Sequence, residues 1–99
     1  MRLAPALLLA WPFACLAADD LGRKVFTEIA EPQCALCHTL QAAGASGTIG
    51  PSLDELKPDK AKALEAIRKG VGVMPAYAGK LTPEQIEAVA RYVEEVAGK

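Results

Sequence analysis

Five consecutive residues, Cys34-Ala35-Leu36-Cys37-His38, combine two thiols and an imidazole at a spacing that one helical turn can present to one side. Thiols three positions apart can each form a thioether to one of the two vinyl groups of a porphyrin. The adjacent imidazole then reaches the iron. Cys-x-x-Cys-His is accordingly the attachment pattern of a c-type haem. Two other chemistries use parts of it. A disulfide oxidoreductase places Cys-x-x-Cys after a strand, at the start of a helix, and no strand pattern precedes Cys34. A structural zinc site needs four ligands, whereas Cys34, Cys37 and His38 are three with no second cluster to complete them. Haem attachment uses all three residues.

An iron held by one histidine has a second axial position, usually filled by Met or His in electron-transfer sites, and thioether ligation raises the potential. Beyond residue 18 the chain has two cysteines, Cys34 and Cys37, one histidine, His38, and one methionine, Met74. Met74 is therefore the candidate distal ligand. Pro75 confines it to extended backbone, which helps hold its sulfur in place; by itself it could equally fill a gap in the core. A ligating histidine usually donates its other ring N–H to an outer acceptor. A carbonyl in the loop that closes with Gly50-Pro51 is the natural candidate, although that dipeptide also reads as a plain turn. A haem enzyme or gas sensor needs an open axial position, which a Met74 ligand closes. No second histidine for acid–base work and no phosphate-binding glycine loop is present. The expectation is therefore a non-enzyme, with chemistry after loss of Met74 as the rival.

At 99 residues the chain is one domain. Met1-Arg2 followed by an apolar run from Leu3 to Leu16, and small residues Ala17 and Ala18, reads as a secretory signal peptide over residues 1–18, with the folded domain at 19–99. The run is short for a membrane span and is broken by Pro5 and Pro12, although an uncleaved anchor is the competing reading. Cys15 reads as a small apolar residue of this segment. Without Arg2 the count falls from eleven to ten basic residues against twelve acidic, a net charge of −2. That argues against nucleic acid and offers no basic patch for a membrane surface. Phe26, Tyr77 and Tyr92 are the aromatics left after residue 18, a thin core for so short a chain. Such chains usually need internal support, and a covalent haem would supply it.

The elements that must position these residues are helical. Asp19 or Asp20 caps a first helix to about Ile29, with Leu21, Val25, Phe26 and Ile29 on one stripe and Gly22 one turn before Phe26. Glu31-Pro32 ends it, and the attachment turn begins at once. Residues 40–52 read as a glycine-rich loop. Lys57-Pro58-Asp59 starts a second helix with the stripe Leu64, Ile67 and Val71, ended by Gly70. Residues 71–77 read as extended loop. Thr82-Pro83-Glu84-Gln85 is a capping-box start, and Ile86, Val89, Ala90, Val93 and Val96 form the buried face of the last helix, with Tyr92 beside it and Gly98 at its end. No strand is expected. The fold class is all-α, three to five helices joined by long loops.

Cys34-Ala35-Leu36-Cys37-His38, Gly50-Pro51-x-Leu53, Met74-Pro75-Ala76-Tyr77 and Leu81-Thr82-x-x-Gln85-Ile86, in this order, resemble a small class I c-type cytochrome over essentially the whole chain after residue 18. The resemblance implies thioethers at Cys34 and Cys37, His38 as proximal and Met74 as distal iron ligand, and the Pro51 carbonyl as acceptor of the His38 ring N–H. It also implies that Gly22 and Phe26 cross the last helix at Tyr92. The runs from Gly50 through Leu53-Asp54-Glu55-Leu56 and from Gly72 to Pro75 are similar to those of cytochromes that accept electrons from bacterial sulfite dehydrogenases.

The function expected is a monomeric periplasmic carrier with one haem c, passing single electrons from a dehydrogenase to an oxidase or another cytochrome. Lys57, Lys60, Lys62, Lys69 and Lys80 could ring the docking face, or serve only as solubilising charge. A cytochrome permanently bound within an oxidoreductase complex is the alternative.

Overall fold

In a computed structural model, residues 20–99 are described; the expected signal segment lies outside them. The first helix, α1, covers 20–29. It is α-helical over 20–24 and widens over Val25–Ile29, where the Ala30 N–H reaches the Val25 carbonyl five residues back. The wider turn changes the expected stripe. Ile29 is left exposed and Ala30 is fully buried in its place, because an extra residue per turn rotates the positions C-terminal to it.

Cys34–Cys37 form a single helical turn, α2. The loop expected after it contains a short antiparallel pair, β1 (Thr39–Leu40) with β2 (Ala45–Ser46), in the register Thr39 opposite Ser46 and Leu40 opposite Ala45. Two-residue strands are too short to show alternation, so the expectation of no strand is corrected here. A one-turn helix, α3 (Leu53–Leu56), was likewise not legible. The next helix, α4 (Lys60–Lys69), starts two residues later than expected. Asp59 is its cap, accepting from the Lys62 N–H at 2.8 Å, so Pro58 lies outside the helix. Val71 falls beyond Gly70, which takes a left-handed φ of 78°, and is exposed rather than part of the buried stripe. The last helix, α5 (Pro83–Val96), has the capping box: Thr82 Oγ1 accepts from the Gln85 N–H at 3.1 Å, and Gln85 Oε1 accepts from the Thr82 N–H at 2.9 Å.

These helices bury one core, in which Val25, Phe26, Leu40 and Val89 are the largest side chains fully enclosed. α1 crosses α5 through Gly22, and the Phe26 and Tyr92 rings meet at a centroid distance of 6.4 Å, tilted by 59°. Tyr92 is buried within the core rather than beside it. α4 packs along α5. There the Glu94 carboxylate accepts from the Lys60 backbone N–H at 2.8 Å, and the Lys60 ammonium pairs with Glu87. The architecture is all-α, with five helices and a short 3-10 turn at Gln41–Ala43 among the described residues.

Candidate haem site

α2 is held at both ends by backbone. Gln33, in extended conformation, accepts from the Leu36 N–H at 3.1 Å, and the His38 N–H closes the turn on the Cys34 carbonyl at 3.0 Å. One turn thus carries both thiols, and neither is paired in a disulfide. Burial pushes the Cys34 thiol up to about 11.

His38 leaves the turn in extended backbone, φ −118° and ψ 138°. Its Nδ1 lies 2.7 Å from the Pro51 carbonyl oxygen, so an Nδ1–H donor leaves Nε2 free for a metal. The loop between them is tied at several points. The Gly50 N–H donates to the Cys37 carbonyl, the Thr39 hydroxyl to the Gly47 carbonyl, and the Gln41 N–H to Asp54 Oδ2. Asp54 Oδ1 also accepts from the Gly98 N–H at 2.8 Å, joining this loop to the end of the chain. Those two bonds, Gly98 first, hold the Asp54 carboxyl below its ordinary value.

Two glycines permit the arrangement by their size. A Cβ on Gly50 would sit 2.7 Å from His38 Cε1 and 3.0 Å from Nδ1, and one on Gly47 would sit 2.5 Å from the Leu36 carbonyl oxygen. Sequence reasoning took this stretch as a loop and missed both contacts. The only hint was the density of glycines between His38 and Pro51.

Met74 is half-buried and packs on the same core as Cys34. Its loop is closed by mutual backbone bonds: Met74 N–H to the Val71 carbonyl at 2.8 Å, and Val71 N–H to the Met74 carbonyl at 3.1 Å. Three residues on from Met74, the Tyr77 N–H donates to the Ile67 carbonyl of α4, and the Tyr77 hydroxyl to the Pro32 carbonyl at 2.6 Å. Burial pushes the Tyr77 hydroxyl up to about 12. Tyr77 and Asp54 are further site-positioning residues that periodicity alone does not reveal.

The family model described as "Cytochrome C oxidase, cbb3-type, subunit III" matches residues 17–93. Cytochrome c6 of Thermosynechococcus vestitus is 35% identical, covering 98% of this chain and 88% of its own. The chain belongs to the class I c-type cytochromes. This cytochrome is also similar to the c-type cytochrome SorU of Sinorhizobium meliloti, a solved structure with 57% identity and a TM-score of 0.80, covering 84% of this chain and 94% of that one. It is 37% identical over 78% of its length to the cbb3-type oxidase subunit FixP of Bradyrhizobium sp. strain ORS 278, and spans 27% of that subunit. Membership implies an electron carrier with one covalently bound haem c. The residues present fit that group. Two thiols share one turn and one imidazole has its Nδ1 engaged. In addition, exposed apolar side chains at Leu36, Ile49, Val71 and Val73 lie in the segments around Cys34–His38, Pro51 and Met74. No helix among the described residues is long and apolar enough to cross a membrane.

Proposed function

We propose that this cytochrome is a periplasmic single-electron carrier, a monomer and not an enzyme, whose haem is held by thioethers at Cys34 and Cys37 and ligated by His38 and Met74. Residues 1–18 serve as its export signal. The observation that carries the reading is the 2.7 Å approach of His38 Nδ1 to the Pro51 carbonyl, which would fix the ring's orientation and leave Nε2 free to hold the iron. When bound, haem c supplies a one-electron iron couple. The protein's part is to hold both axial side chains still, so that little rearranges as the charge changes. Pro51 does this for His38, and the backbone-closed loop after Gly70 does it for Met74.

The electron donor is a dehydrogenase, of the sulfite-oxidising kind by the likeness carried in residues 50–56 and 72–75, and the acceptor an oxidase or a second cytochrome. A small haem-edge encounter suits a transient partner, because weak redox complexes bury little surface. The test is a reduced-minus-oxidised spectrum with the far-red thioether–iron band. Loss of that band in Met74→Ala, with haem retained, is expected; its persistence would remove Met74 from the iron. Slow carbon monoxide binding by the reduced protein is the companion expectation, and rapid binding at neutral pH would favour a haem enzyme or sensor.

The match to FixP, of which this chain spans 27%, favours a second reading in which the cytochrome is a fixed part of an oxidoreductase complex. Gel filtration alone and with a candidate dehydrogenase separates the two: a carrier elutes at its own size in both runs.

A further inference from the structure

The Tyr77 hydroxyl donates to the Pro32 carbonyl across 45 positions of chain, at 2.6 Å. Pro32 stands two residues before Cys34, and Tyr77 three after Met74. Among the described residues this is the one hydrogen bond that joins the Met74 loop to the attachment segment. Every other backbone anchor of that loop runs to α4 or stays within the loop: Tyr77 N–H to Ile67, Gly70 N–H to Ala66, the Val71–Met74 pair, and the Lys80 and Leu81 N–H groups to the Tyr77 carbonyl. Without the hydroxyl, the loop would be tied on the α4 side alone and would meet the attachment segment by packing only.

We propose that the Tyr77 hydroxyl is a latch that holds the Met74 loop against the attachment segment and so sets how readily Met74 yields its place to an external ligand. Tyr77 acts through Met74 and is a positioning residue, and the proposal rests on Met74 being the distal ligand. Exchange of a loop-borne ligand requires the loop to move away from the metal. Any bond that exists only in the closed arrangement raises the cost of that motion and lowers the population of the open state. The ring itself is buried, so Tyr77→Phe keeps the packing and removes the bond alone.

The experiment uses the full haem-loaded protein and titrates the ferric form with imidazole, following the far-red band. Tyr77→Phe is expected to keep the band at neutral pH and to bind imidazole about three- to tenfold more tightly than wild type, the range that one net hydrogen bond covers. Thr82→Ala is the control, because it removes the α5 cap and lowers global stability without touching either segment. It is expected to bind imidazole as wild type does. Equal affinity of Tyr77→Phe and wild type would overturn the latch, and so would an equal gain in Thr82→Ala, which would make the effect one of overall stability. Absence of the far-red band from the wild type is a separate outcome, overturning the Met74 ligand and the latch with it.

Discussion

Gly22 and Tyr92 approach so closely that a Cβ on residue 22 would stand 2.5 Å from Tyr92 Cβ and 2.5 Å from the Ala88 carbonyl oxygen. The crossing of α1 over α5 therefore depends on the missing side chain. Gly22→Ala gains helix propensity but must push two backbones apart, and overpacking of this kind costs about 1–3 kcal/mol. A lower denaturation midpoint of the haem-loaded protein is expected. An unchanged midpoint would show that the crossing has slack.

Gly50→Ala addresses the ring of His38. The new methyl would meet Cε1 at 2.7 Å and Nδ1 at 3.0 Å, displacing the imidazole from the Pro51 carbonyl. A weaker Nδ1–H bond makes the imidazole less basic and stabilises the ferric state less. The midpoint potential is expected to rise, with a stability loss of about 1–3 kcal/mol. Redox titration and thermal melting measure the two effects, and a potential equal to wild type would break the argument.

Asp54 links folding to acid. Its carboxyl pKa is lower in the folded protein than its ordinary value of 3.8, through the Gly98 and Gln41 N–H groups. Its contribution is therefore complete above that ordinary value and is lost as pH falls through the lowered folded value. Asp54→Ala is expected to lower the urea midpoint at neutral pH, and the gap to wild type should narrow as the pH falls below the ordinary carboxyl value. A gap that stays constant across the acid range would mean the carboxylate charge is not what holds the loop.

Lys57 ends α3 with a left-handed backbone, φ 47° and ψ 58°, the one non-glycine residue with positive φ among those described. Strain at such a position is about 1–2 kcal/mol for an L side chain, partly offset by the greater freedom glycine regains on unfolding. Lys57→Gly is expected to stabilise the protein by about 0.5–1 kcal/mol, read from the urea midpoint. A destabilised variant would show that the lysine stem, close to Gly98, contributes more by packing than its backbone costs.

The core has few large side chains, and apolar side chains at Leu36, Ile49, Val71 and Val73 are exposed. Polypeptide in which Cys34 and Cys37 are both replaced by serine, recovered without haem, is expected to lack a cooperative thermal transition in circular dichroism. A sharp native-like transition would show that the helices suffice without the group.

The helices were legible in proportion to their length. α5 could be placed to its first residue because Thr82 and Gln85 announce the cap and the apolar spacing continues for three turns. α4 was two residues off at its start, because Pro58 and Asp59 both favour a helix start and only the Lys62 N–H decides between them. α3 and the β1–β2 pair stayed hidden, since two to four residues cannot display a period.

The sequence by itself determined the chemistry and the helical class. Two thiols, one imidazole and one thioether are a matter of residue type and near spacing, and amphipathic periodicity is equally local. The tertiary structure decided what faces what. That His38 Nδ1 meets the Pro51 carbonyl 13 positions away, that Tyr77 reaches Pro32 over 45, and that Asp54 gathers Gln41 and Gly98 all depend on the paths of loops. Those paths come from packing the helices on one core, which fixes the distance between residues that no local pattern connects.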